Sequence, residues 1–200
     1  MTDVDAARPG RPAVTSRAEL ERRALQLFAE RGFDATTVDD IAAAAGIGRR
    51  TFFRYFASKN DAVWGEFDQG LTSLRAQLAG SPPSLPLLAA LREAVLVFNR
   101  FDPAEVVWHR ERMRLILTVP ALQAHSTLRY AAWREVVAEF AGARLGQPAD
   151  ALLPQVVAHS TLGAAITAYE QWLRDPGADL PALMDEAMSA LAGDWTGRRG

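Results

Sequence analysis

The stretch Thr36–Asn60, TTVDDIAAAAGIGRRTFFRYFASKN, decides the fold. Thr37 with Asp40 three residues on forms a capping box, which starts a helix. Val38, Ile41, Ala42 and Ala45 give that helix a small, tight packing face. Gly46 is placed for a turn and Ile47 for a buried pivot, and a second helix follows from Gly48 to Phe56. Phe52 and Phe56, four apart, lie inward, leaving Arg49, Arg50, Phe53 and Arg54 outward. Two short helices around a glycine turn, with arginines in the first turn of the second, make a shape that enters a DNA groove.

The flanking sequence supports that element. Ser16-Arg17-Ala18-Glu19 reads as a capping box, and Leu20, Ala24, Leu27 and Phe28 fall on one helical face up to Arg31-Gly32. Ser58 and Asp61 cap a fourth helix expected to run to about Leu78, with Val63, Trp64, Phe67, Leu71, Leu74 and Leu78 buried. This helix leaves the DNA-reading head and enters the remaining chain, the natural lever between them. Ahead of the first helix, residues 1–15 hold Arg8-Pro9-Gly10-Arg11-Pro12 and no periodic apolar face. They read either as a plain tail or as a basic arm in which Arg11 reaches into a narrow minor groove.

Beyond the break at Gly80–Pro86, helices alternate with proline and glycine punctuation: 86–101, 103–118, 125–145 (with Leu128, Trp133, Val136, Val137 and Phe140), 150–174 and 179–191. No alternating strand pattern appears. The chain is predicted to be all-α with about nine helices. Its domains are an arm (1–15), a three-helix DNA-binding domain (16–62) and a helical ligand-binding and dimerisation domain (63–200).

Composition agrees with a globular protein of this size: 200 residues, 49% apolar and 23% charged. The absence of cysteine excludes disulfides and thiolate chemistry. No apolar run is long enough for a membrane span and no secretory leader is evident, so a cytoplasmic protein is expected. The net charge of −2 hides an asymmetry. Between Arg8 and Lys59, ten basic and six acidic side chains leave +4, so the remainder is acidic. A basic front on an acidic body suits a protein that presents one end to a polyanion.

In the body, small residues on the helix carrying Ala158, Leu162, Gly163, Ala165, Ile166, Tyr169 and Leu173 allow close helix approach, and the last helix offers Leu183 and Ala187. The aromatic residues Trp64, Phe67, Phe98, Trp108, Trp133, Phe140, Tyr169 and Trp172 fit either a core or an apolar tunnel, whose expected lining is Trp64, Phe67, Phe98, Trp108, Arg112, Leu115, Trp133 and Tyr169. The basic run around Arg110, Arg112 and Arg114 is either a solvated face or the mouth of such a tunnel, where Arg112 would meet an anionic group.

Residues 16–62, with Phe53-Arg54-Tyr55-Phe56-Ala57-Ser58-Lys59-Asn60, resemble the DNA-binding domain of TetR-family transcriptional regulators. The resemblance implies that Thr37, Tyr55 and Lys59 hold backbone phosphates while Arg49, Arg50 and Thr51 face the major groove. It also implies a homodimer on a palindromic operator, paired through its last two long helices. Phe53 stands where the family usually has tyrosine, which removes a phosphate hydrogen bond and leaves an apolar contact. A narrower resemblance rests on Phe98–Phe101, Trp108–Leu117 and Pro120–His125. These runs are similar to TetR-type regulators of mycofactocin biosynthesis, implying a repressor of redox-cofactor genes released by a long-chain acyl-coenzyme A. No further cofactor is implied.

Other readings remain open: a TetR-like regulator of efflux or lipid metabolism with another hydrophobic effector, a non-specific DNA binder, and an enzyme. The enzyme reading lacks support. His109, His125 and His159 form no close-spaced ligand pattern, there is no nucleophile elbow or P-loop, and Gly46-Ile47-Gly48 lacks a third glycine and a preceding strand.

Overall fold

The structure, a computed structural model, describes residues 16–193. Arg8 and Arg11 lie outside the described residues. The chain divides into two compact units, Met1–Gly65 and Glu66–Gly200. Among the described residues every regular element is helical.

The first unit contains α1 (Arg17–Arg31), α2 (Val38–Ala44), α3 (Arg49–Tyr55) and α4 (Lys59–Trp64). Each start is set by a side chain, except that of α3. The Ser16 hydroxyl accepts from the Glu19 N–H, Thr37 and Asp40 form a reciprocal capping box, and the Ser58 hydroxyl accepts from the Asp61 N–H. Gly46 turns the chain between α2 and α3 at φ +66°, a conformation that disfavours side chains. The core is Leu20, Leu25, Phe28, Phe33, Ile41, Phe52, Phe56, Val63 and Trp64. Ile47, expected to be buried, is half-buried.

The second unit contains α5 (Phe67–Ala79), α6 (Leu87–Phe98), a 3-10 turn (Pro103–Glu105), α7 (Val106–Thr118), α8 (Pro120–Leu145), α9 (Leu152–Arg174) and α10 (Leu180–Ala190). Leu74, Leu78, Leu91, Val95, Trp133, Val137, Ala158, Trp172 and Met184 belong to its core. A fully buried large side chain of this kind contributes about 2–3 kcal/mol of transfer free energy.

Three further expectations change. The helix anticipated from 58 to 78 is two helices, α4 and α5, because Gly65 takes φ 59° and ψ −128°, outside any helical geometry. The described residues therefore hold ten α-helices in place of about nine. Next, Pro120 does not interrupt the chain but occupies the first turn of α8, where its missing N–H has no helical partner to lose. Finally, Leu128, placed on the buried face of α8, lies exposed. The proline-rich break at 80–86 is ordered by Arg144. Its guanidinium donates to the carbonyls of Ser81, Pro82, Pro83 and Leu85 at 3.3, 2.8, 3.0 and 2.8 Å, and lies over the Phe140 ring.

Candidate nucleic-acid interface and effector cleft

The exposed surface of α3 carries Arg49, Arg50, Phe53 and Arg54, while Phe52 is fully buried and Phe56 nearly so. One face of the helix is thus anchored and the other is basic. The Arg49 Nη1 donates to Asp39 Oδ2 of α2 at 2.8 Å, and its guanidinium carbon sits 5.3 Å from the centre of the Phe53 ring. Phe53 in turn meets buried Phe52 edge-on at 5.5 Å. Arg50 has no side-chain partner among the described residues, and Arg54 lies over Tyr55. Thr51 and Tyr55 are half-buried beside them.

Thr37 is exposed, and its hydroxyl is engaged with Asp40: it accepts from the Asp40 N–H at 3.1 Å and donates to Oδ2 at 2.5 Å. The Thr37 hydroxyl and the Thr37 backbone N–H, both donating to Oδ2, hold the Asp40 carboxyl below the usual carboxylate range, with Arg31 nearby. Lys59 does more than a free surface anchor would. Its ammonium donates to the carbonyls of Phe33 (2.8 Å) and Thr36 (3.0 Å) and lies 4.3 Å from the Phe33 ring centre. Two of its three protons knit α4 to the loop before α2.

Three supports were not read from the sequence. Arg17 donates to the carbonyls of Tyr55 (2.8 Å) and Gly65 (3.0 Å) and stacks on Phe56, fastening the ends of α3 and α4 to α1. Buried Thr36 donates to the Gly32 carbonyl at 2.8 Å. Asp39 holds Arg49. A TTVDD run signals a helix cap, but nothing local marks which of its acids reaches across to α3.

In the second unit a cleft of about 540 Å³ opens among the end of α6, the start of α7, the end of α9 and the start of α10. Leu96, Phe101, Val106, Trp172, Leu180 and Met184 supply its apolar walls, and Arg100 is the one cationic residue lining it among the described residues. Asp185, also at the cleft, is paired with Arg92. None of the eight residues expected to line a pocket lines this cleft. Trp64 belongs to the first unit's core; Leu115, Trp133 and Tyr169 are buried in the second; Phe67, Phe98, Trp108 and Arg112 are half-buried. Helical spacing fixes the face a ring occupies but does not separate a core ring from a cavity ring.

A polar chain starts at Asn99, itself a residue lining the cleft. The Tyr169 hydroxyl donates to Asn99 Oδ1 at 2.8 Å, and Asn99 Nδ2 donates to the Val95 carbonyl, which fixes the amide orientation. With its single proton committed, the hydroxyl accepts from His109 Nε2–H at 2.9 Å, so hydrogen bonding assigns that tautomer. His109 stacks on Phe101 at 4.2 Å. Desolvation, and secondly Arg112, lower its pKa to about 4. Burial likewise pushes the Tyr169 phenol well above its ordinary value. Arg110 donates to the Trp172 carbonyl at 2.6 Å and covers its ring at 4.1 Å.

The residues expected to pair two copies divide by burial. Ala158, Leu162, Ala165 and Tyr169 are buried within this chain, and Ile166, Leu173, Leu183 and Ala187 are half-buried. The open apolar face of α9 is a different one. Leu152, Leu153 and Val156 are 77%, 51% and 49% exposed, followed along the helix by exposed Ser160, Gly163 and Thr167.

A capped helix pair around a left-handed glycine, with the exposed arginines on the second helix, is the architecture of a helix-turn-helix DNA-binding regulator. The chain belongs to the TetR family of bacterial transcriptional regulators: residues 22–61 match the model of bacterial regulatory proteins of the tetR family. Residues 85–196 match the MftR C-terminal domain. A relative in Mycobacterium tuberculosis, MftR, whose name assigns it to regulation of mycofactocin biosynthesis, is 45% identical over 92% of this chain and 93% of its own. Among solved structures, the fatty acid degradation regulator FadR of Bacillus halodurans superposes with a TM-score of 0.65 at 18% identity, covering 91% of this chain and 97% of its own. FadR of Bacillus subtilis in complex with stearoyl-CoA superposes at 0.62 with 15% identity, covering 88% and 97%. These relatives are regulators of transcription, not enzymes. No helix among the described residues is long and apolar enough to cross a membrane.

Proposed function

We propose that the protein is a cytoplasmic repressor that binds a palindromic operator as a homodimer and leaves it when an amphipathic effector, a long-chain acyl-coenzyme A, occupies the second unit. The observation that carries the DNA reading is α3. Its anchored face is buried, and its exposed face holds Arg49 and Arg50 in the first turn, the end that meets base edges. Arg50 and Thr51 join Arg49 as base readers, and Thr37, Tyr55 and Lys59 fix register on phosphates. Phe53 lacks the hydroxyl for a phosphate bond.

The genes controlled belong to a mycofactocin-type redox-cofactor system. The 45% identity to MftR over nearly the full length of both chains supports this. The effector class is supported by the stearoyl-CoA complex of the Bacillus subtilis FadR together with the apolar cleft, where Arg100 is placed to meet an anionic headgroup. The dimer forms on the open face of α9. A helical glycine costs about 1 kcal/mol relative to alanine, and Gly163 has free space around it, so it suits the close approach of a second helix.

A salt-titrated binding assay tests both parts. A palindrome selected from random duplex should bind several orders of magnitude more tightly than its scrambled version. Saturating stearoyl-CoA should weaken operator binding at least tenfold, because an effector shifts the equilibrium only by its differential affinity for the two states. Equal affinity for both duplexes overturns the specific reading, and operator affinity unchanged by stearoyl-CoA overturns the effector.

A further inference from the structure

The two arginines at the start of α3 are not equivalent. Arg50 meets no partner among the described residues, whereas Arg49 is restrained from two sides, by the Asp39 carboxylate at 2.8 Å and by the Phe53 ring at 5.3 Å. Both restraints come from positions with defined supports. Asp39 lies in the first turn of α2, whose start is fixed by the Thr37–Asp40 capping box. Phe53 rests edge-on against Phe52, which is fully buried. Asp39 and Arg49 are otherwise open to solvent, with side chains 65% and 58% exposed. An exposed ion pair of this kind adds little to stability. Its consequence is geometric.

We infer that Asp39 and Phe53 are positioning residues that hold Arg49 as the strict base reader of the protein. The inference rests on the reading of α3 as the recognition helix. Arginine recognises guanine by offering two parallel N–H donors to O6 and N7. Free in solution, a guanidinium reaches base edges and phosphates alike. With Nη1 given to Asp39 and the plane steadied by Phe53, Arg49 keeps its Nε and Nη2 donors as one fork. The arrangement also disfavours the competing use of Arg49 as a phosphate contact, because the Asp39 negative charge sits beside it. Phenylalanine where the family usually has tyrosine then has a role, since its ring serves as a platform for Arg49.

The pair makes opposite predictions for specific and non-specific binding. Asp39→Asn should lower discrimination at one guanine-containing base pair per half-site by about tenfold, within the range one bidentate contact supplies. Other positions should keep their preferences. On random duplex the same variant should bind more tightly, and the slope of log K against log salt should steepen by about one per protomer as Arg49 becomes free to neutralise a phosphate. Phe53→Leu should lose the same base preference, whereas Asp39→Glu and Phe53→Tyr, which keep the carboxylate and the ring, should retain most of it.

The experiment is selection of bound sequences from a randomised 24-base-pair duplex library by the full-length chain and its four variants, followed by salt titration. Loss of one preference per half-site in Asp39→Asn and Phe53→Leu, with rescue in the other two, supports the inference. If the wild type selects a palindrome and both disruptive variants select it equally well, the inference is overturned while the proposed function stands. Uniform weakening over every position with a lowered melting temperature means a merely structural role and overturns it also. A wild type that selects no motif overturns both readings.

Discussion

Lys59 shows how much a residue's role depends on where its protons go. The motif around it implied a phosphate anchor, and a phosphate-only lysine would leave the free protein's stability untouched. In the structure it donates to two carbonyls in the loop before α2, and removing it leaves both acceptors without that donor. Hydrogen bonds to a charged group contribute more than neutral ones, so Lys59→Ala should destabilise the DNA-free protein by about 1–2 kcal/mol, measured by urea denaturation. It should also weaken all duplexes alike, because the contact carries no sequence information. Arg50→Ala should do the reverse. Its exposed side chain has no partner to lose among the described residues, so stability should stay within about 0.5 kcal/mol, while base choice relaxes at one position at a cost of about 1–3 kcal/mol in operator affinity.

At the scale of elements, helical periodicity and most of its interruptions were legible, but the break at Gly65 was not. Val63, Trp64, Leu71, Leu74 and Leu78 are buried as their spacing requires, yet the helix they seemed to share is broken at Gly65. Spacing registers which face a residue occupies and is blind to one φ/ψ pair. Gly65→Ala would place a side chain where φ is 59° and ψ −128°, so it should cost about 1–3 kcal/mol in denaturant melts. Long-range pairs were hidden for a related reason: Arg17 to Gly65, Asp39 to Arg49 and His109 to Tyr169 join residues that no local pattern links. The last of these couples α7 to α9 and has a pH signature. His109 titrates near 4 in the folded protein, against an ordinary value of 6.5. Between these pH values the unfolded chain binds a proton that the folded one does not. Stability conferred by the neutral ring is therefore complete above about pH 6.5 and falls as the pH drops toward 4. The loss should reach about 2 kcal/mol once the ring's partial exposure is discounted. Urea midpoints at pH 7.5 and 5.0 should differ accordingly, and His109→Gln, whose amide can still donate to Tyr169, should remove most of that difference.

For the whole molecule, the head was legible because its chemistry is local: caps, a turn glycine and an exposed basic face follow one another within twenty-five residues. The body was legible only as helices, since which faces become core and which remain open depends on packing between distant segments. The candidate dimer surface illustrates this. The small residues of α9 run around the helix, and the sequence did not distinguish Ala158, Leu162 and Ala165, which face this chain's own core, from Val156, Ser160, Gly163 and Thr167, which face outward. The proposed pairing makes the distinction measurable. Val156→Glu places a charge on the open stripe, where the side chain is 49% exposed, so the isolated fold should tolerate it. Burying that charge against a second copy would cost several kcal/mol, enough to shift a dimer to monomer at micromolar concentration. Sedimentation should then report a monomer with unchanged helical content. Operator binding should fall by orders of magnitude on the full palindrome while half-site affinity is preserved, because two linked readers gain from effective concentration and one reader does not. A Val156→Glu protein that remains dimeric and binds the palindrome normally would place the pairing surface elsewhere on the chain.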